Sequence, residues 1–233
     1  MLKNLLLFST TWFLLSCSTS PEYKITIKGS NDFSGKVYLQ QEANKKVSVI
    51  DSAEIIDGVA IFTGTVEQPD LYLISHNDNK SKLRLFIENS KINIKYRTDS
   101  IEFSEIIGSK THDLYTPFAE KIALFDKKQH ELYVDYQAQK STNNSNEMKI
   151  IEDKVSEIYL EQQEYTNHFA ESNINSVVSL YIIRWYLIYD LDYDKLSHFL
   201  SNLPEKTKKT TIYSYLNDRL QILSKTRIGN VYR

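Results

Sequence analysis

Ile55-Ile56-Asp57-Gly58-Val59-Ala60-Ile61-Phe62 decides how the first half of this chain is read. Asp57-Gly58 sits between two apolar alternating runs. It is the strongest short-range signal for a tight hairpin turn, whose central residues both need positive φ. Upstream, Tyr23, Ile25 and Ile27 share one side of a strand, Val37 and Leu39 follow Gly35, and Val47 and Val49 lead towards Ile55. Downstream, Pro69 stops the return strand. Leu71 to Ser75, Leu83 to Ile87 and Ile92 to Tyr96 then complete the series, joined by Asn77-Asp78-Asn79 and Asn89-Ser90. About seven or eight short strands at hairpin spacing predict an antiparallel β-sandwich or partly open barrel over residues 23–108.

The period changes near residue 109. Five of the six glycines (Gly29, Gly35, Gly58, Gly64, Gly108) precede that point, and a long stretch without glycine suits helix. Phe118, Ile122, Phe125, Leu132 and Tyr136 fall on one stripe. After the polar loop Ser141 to Asn146, the stripe Met148, Ile151, Val155, Ile158, Tyr165 and Phe169 repeats the spacing. The pattern predicts a long antiparallel helix hairpin, with Gln129 and Gln162 fixing register from within the stripes. Asn144 with Glu147 reads as a capping box for the second helix. Asn175 is expected to cap a third helix, Ser176 to Tyr189, apolar almost all round and therefore buried. Asp192 caps a fourth, and Pro204 leads to a fifth with Ile212, Tyr215, Leu216, Leu220 and Leu223 on its packing face. The expected class is thus α+β, an all-helical region (109–229) packed on the β domain, with a tail at 230–233.

The hydrophobic share of 41% and charged share of 25% over 233 residues suit a globular chain and exclude a disordered one. A formal net charge of -2 supplies no overall basic field for nucleic acid or anionic headgroups, so no nucleic-acid partner is expected. Lys206, Lys208 and Lys209 form a short run that reads as a solvated face. The 16 tyrosines read as packing residues on sheet and helix faces.

At the N-terminus, Lys3 precedes an apolar run from Leu5 to Leu15 that is too short to span a bilayer but fits the core of an export signal. Leu14-Leu15-Ser16-Cys17 resembles the lipobox of bacterial lipoproteins. The resemblance implies cleavage between Ser16 and Cys17, a diacylglycerol thioether on Cys17 and acylation of the new amine, which together give durable membrane anchoring. Residues 1–16 are then signal peptide and 17–22 a tether. With only Glu22 acidic after the cysteine, the expected place is the outer membrane, facing the periplasm. Cys17 is the single cysteine, so an acylated chain retains no thiol for a disulfide or a redox pair.

Motifs that carry chemistry are not found. His76, His112, His130, His168 and His198 lie far apart, and none begins a His-Glu-x-x-His pair. Asp190, Asp192 and Asp194 imitate the start of a calcium loop. Lys195 stands where that loop needs glycine, and Ser201 where it needs a bidentate Glu, so helix capping is the better reading. There is no Gly-rich phosphate loop and no Gly-x-Ser-x-Gly elbow. The sequence therefore names no catalytic residue, metal or cofactor. Arg184, inside the apolar third helix, reads as one half of a buried ion pair. Tyr181, Trp185 and Tyr189 read as core aromatics in preference to a sugar platform.

Several short segments resemble a module of unknown function in Gram-negative lipoproteins. They are Tyr23-Lys24-Ile25-Thr26-Ile27-Lys28-Gly29, Gly35-Lys36-Val37-Tyr38-Leu39, Asp51-Ser52-Ala53 with Ile56-Asp57-Gly58, and Gly64 to Pro69 with Leu71-Tyr72-Leu73. Leu85-Phe86-Ile87-Glu88-Asn89, Ile107-Gly108-Ser109 and Ser176 to Tyr181 continue the likeness. That module commonly precedes a thioredoxin-like domain in thiol:disulfide interchange proteins. Here no Cys-x-x-Cys pair follows the segment like Arg227-Ile228-Gly229 up to Arg233, so a stand-alone relative or a truncated gene is expected, with no redox activity carried over from the resemblance. The anchor, the missing chemistry and the sheet-plus-helices layout point to a membrane-anchored, non-enzymatic binding or adaptor module. Alternatives are an accessory to a separately encoded thioredoxin-like lipoprotein, and a small-molecule or glycan binder or enzyme with an unrecognised site.

Overall fold

The computed structural model describes residues 22–30, 32–43, 46–77 and 81–231. Its first half is eight strands, β1 (Tyr23–Lys28), β2 (Lys36–Ala43), β3 (Lys46–Glu54), β4 (Val59–Gly64), β5 (Asp70–His76), β6 (Leu83–Ile87), β7 (Lys91–Lys95) and β8 (Glu105–Ile107). They form two four-stranded sheets, β4-β1-β7-β8 and β3-β2-β5-β6. The facing sides make the sandwich core. Ile25, Ile27, Phe62, Ile92 and Ile94 from the first sheet meet Val37, Leu39, Ile74, Leu85 and Ile87 from the second. This is the alternation expected of strands with one buried face.

Three details depart from the sequence reading. β1 and β7 pair in parallel, so the first sheet is mixed, because β7 re-enters beside β1 only after the chain has crossed the second sheet. Asp57 (φ 51°) and Gly58 (φ 73°) do make the expected tight turn, closed by a bridge between Ile56 and Val59. The hairpin stops at that bridge, since β3 continues in one sheet and β4 in the other. Val47 and Val49 are exposed. β3 is an edge strand with its residues open to solvent on both faces, and a bulge interrupts its pairing with β2 between Leu39 and Gln40.

The helices are α1 (Lys110–Ser141), α2 (Ser145–Ser172), α3 (Val177–Ile182), α4 (Tyr193–Ser201) and α5 (Thr211–Val231). Ser109 caps α1 by accepting from the His112 N–H, Asn144 caps α2 from Glu147 and Asp192 caps α4 from Lys195. The cap of α3 is Ser176 and not Asn175, because the Ser176 hydroxyl accepts from the Val178 N–H. The third helix is also not uniform: Ile183–Leu187 continues α3 as a π-helix. Among the described residues the long helices lie on the outer side of the second sheet, where Leu71 and Phe86 join Phe118, Leu180, Ile182 and Leu216 in a separate core. The layers therefore run first sheet, second sheet, helices.

β6 is the edge of the second sheet beneath α1, and the first turn of α1 seals it. The Ser109 hydroxyl donates to the Phe86 carbonyl at 2.9 Å, and the Phe86 N–H donates to His112 Nδ1 at 3.5 Å. Glu88 takes the Lys110 N–H at 2.6 Å and the Thr111 hydroxyl at 2.7 Å, placing a carboxylate at the positive end of the helix. Gly108 (φ 98°) lets the chain make this corner. A Cβ there would stand 2.1 Å from the Lys91 carbonyl oxygen.

Candidate functional site

Two features of the helical layer are candidates for function. The first is a slot of about 380 Å³ between the second sheet and the π-helix, lined by Glu42, Leu71, Leu73, Arg84, Tyr181 and Trp185, with Lys82 beside them. At one end Arg184 is ion-paired with Glu42 and lies 4.8 Å over the Tyr215 ring, so its expected carboxylate comes from a strand of the other half. At the other end the Arg84 guanidinium lies 4.6 Å over the Trp185 ring. The π-helix is what aims Arg184 and Trp185 at the sheet, and such wide turns occur often at functional sites.

Under the slot lies a buried anchor. Tyr181 donates its hydroxyl to Asp70 at 2.7 Å, and Asp70 also accepts from the Leu71 N–H at 2.8 Å and from Gln41 at 3.2 Å. Burial outweighs these three donors and holds the Asp70 carboxyl above its ordinary pKa, and it likewise raises the Tyr181 phenol. Asp70 is thus a structural clasp between β5 and α3 with its acceptors engaged. Tyr181 belongs to the core as expected. Trp185 is half-buried against the slot, and Tyr189, past the end of the π-helix, is 87% exposed and corrects the reading of all three as core.

The second feature is the far end of the helix hairpin. On α1 the buried stripe ends at Phe125; Leu132 and Tyr136 stay half-buried and no later residue is buried. On α2 Ile151 is buried and Val155 is exposed. What holds this arm together includes the Gln129 to Gln162 hydrogen bond of 3.1 Å, which joins the two stripes at the positions expected to fix register. Leu124, Tyr133, Val134, Ile150, Tyr159 and Leu160 are all exposed on it, and Leu132, Tyr136, Ile151 and Val155 border a shallow groove of about 390 Å³.

The remaining candidates are dispersed. Asp192 is a helix cap and Asp190 accepts from Gln163 at 2.9 Å. His76 bonds the Ser34 carbonyl, His198 faces Glu171, and Lys208 pairs with Glu205. No group of three or more metal-ligating side chains occurs among the described residues. None of the helices among them is long and apolar enough to cross a membrane. Ser16 and Cys17 lie outside the described residues. Glu42 and Arg84 of the slot, and Asp70 beneath it, carry no local sequence signal, because their partners are 142, about a hundred and 111 positions away.

A β-sandwich bearing a one-sided helical layer, with a projecting helix pair, defines an α+β module. Residues 23–115 match the family described as a domain of unknown function (DUF4369), in keeping with the resemblance of the strand segments. That match takes in all eight described strands and ends in the second turn of α1, just past Ser109 and His112. No curated protein and no solved structure matches the chain.

Proposed function

We propose that this chain is a lipid-anchored protein of the bacterial cell envelope that acts by binding a partner protein on its helical arm. The observation that carries the reading is the arm. Six large apolar or aromatic side chains stand exposed around the two helices of the arm. Surface helices normally turn such residues inward, and so many left outward on one arm favour a partner that covers them. The anchor rests on Leu14-Leu15-Ser16-Cys17, and the expected location is the periplasmic side of the outer membrane. A separately encoded thioredoxin-like lipoprotein is a second partner reading. It is favoured by the segment resemblance and by the single cysteine, which leaves any thiol chemistry to the partner.

The test is site-specific photocrosslinking in intact cells with the reactive residue at Tyr133 or Tyr159, against Thr63 on the sandwich as control. The reading expects one crosslinked partner from both arm positions, lost on adding Leu160→Lys, and none from Thr63. Equal crosslinking from all three positions would refute the arm. Mass spectrometry of the same membranes reports the anchor separately: acyl mass on Cys17 supports it, and an intact Met1 start overturns it.

A further inference from the structure

Among the described residues the outer face of the first sheet carries no helical layer, and it is basic. β1 and β7 contain the same pentad pattern, Lys24-Ile25-Thr26-Ile27-Lys28 and Lys91-Ile92-Asn93-Ile94-Lys95. They pair in parallel and in register, Lys24 beside Lys91 and Lys28 beside Lys95. The isoleucines enter the sandwich core, so all four lysines emerge on the opposite face. Lys95 is bonded to Glu105 at 2.6 Å, whereas Lys24, Lys28 and Lys91 join no ion pair among the described residues. Between the two lysine rows run Ile61, Thr26, Asn93 and Ile107 on adjacent strands, with Ile61 and Ile107 about half exposed. Glu105, opposite Lys95 on β8, is a carboxylate at its margin.

Like charges on directly neighbouring strands oppose pairing. Two such pairs side by side gain nothing for the fold, and an anionic surface laid against them relieves the repulsion. The position of the face names that surface. Lys24 is seven residues after Cys17, a reach of at most about 25 Å of extended chain. We propose that this lysine face lies on the anionic phospholipid headgroups of the membrane that holds Cys17, so that lipid and face are two halves of one anchor. The layer order then turns the helical arm and the slot away from the bilayer. The proposal rests on the lipid-anchor reading above. Acyl chains hold the protein to the membrane, and the lysines set its orientation, since their field extends only about 8–10 Å at physiological salt.

The experiment uses the full chain, acylated and reconstituted into vesicles, with Asn93→Cys carrying a fluorophore and Ser48→Cys on β3 as the control position. An acylated Cys17 leaves the introduced thiol as the only one, so double labelling reports failure of the anchor itself. Vesicles of phosphatidylcholine with or without phosphatidylglycerol contain a headgroup quencher. Strong quenching at Asn93→Cys with phosphatidylglycerol is expected, and weak quenching without it or at Ser48→Cys. Lys24→Gln/Lys28→Gln/Lys91→Gln should weaken the docked state by about a hundredfold, at roughly a decade or less per lysine. These three side chains are exposed, so the variant keeps its fold, which circular dichroism checks. Quenching that ignores phosphatidylglycerol, or that survives the triple substitution, overturns the proposal while leaving the acyl anchor standing.

Discussion

Protonating His112 should unlatch the helical layer from the sandwich. Its ring is buried between Phe86 and Tyr115, and Nδ1 accepts the Phe86 N–H, so the neutral ring carries its proton on Nε2. A second proton would set N–H against N–H in an apolar site. Burial accordingly pushes the ring down to about 4, against an ordinary value of 6.5, with Asp113 opposing only weakly. The unfolded chain therefore binds more protons between those values. The stabilisation is fully present above the ordinary value and is lost as pH falls through 6.5 towards 4. At 1.36 kcal/mol per pH unit the whole effect is about 3 kcal/mol, of which about 2 kcal/mol is lost between pH 7 and pH 5. His112→Gln retains an acceptor and the backbone N–H that Ser109 caps, yet cannot titrate. Urea unfolding of both chains at the two pH values isolates the ring, since every other titrating group is common to them. Wild type should lose about 2 kcal/mol more than the variant. Equal losses, or a ring titrating near 6.5 by NMR, would refute this account of the seam.

Other outcomes follow from the same geometry. Because burial holds the Asp70 carboxyl up, its contribution is fully present below the ordinary value and is lost as pH rises through the folded one. Asp70→Asn should therefore gain relative to wild type as pH rises in thermal melts, and parallel curves would contradict it. Gly108→Ala meets both a positive φ and the Lys91 carbonyl, and should cost about 2–4 kcal/mol in chemical denaturation; a loss under 1 kcal/mol would show that the corner can relax. Glu42→Gln strips Arg184 of its charge partner in a partly buried site, costing about 1–3 kcal/mol. Glu42→Leu/Arg184→Met should recover most of that loss in the same assay.

Except in β3, the face a strand buries was legible because alternation is a local property. Ile25 with Ile27, Val37 with Leu39 and Ile92 with Ile94 point inward wherever their strands are placed. Pairing is not local. Asp57-Gly58 announced a turn and made one, yet no residue near it states that β3 and β4 belong to different sheets. The stripes of α1 and α2 likewise showed which side meets the partner helix, but not that the layer ends at Phe125 and leaves the arm bare. Asp70 and Tyr181, 111 positions apart, had no common signal at all.

The lysine face makes the same point about charge. A net of -2 describes the whole chain and says nothing of a face assembled from residues 24, 28, 91 and 95. Once β1 and β7 are parallel and in register, burying four isoleucines forces four lysines into one patch, since a strand has only two sides. Core formation and surface charge are thus one constraint. Shifting β7 by a single residue would bury its lysines, so the hydrophobic pattern that fixes the register also fixes the patch. Ile92→Thr/Ile94→Thr should therefore loosen the register and weaken vesicle docking together, although neither side chain is exposed to the membrane.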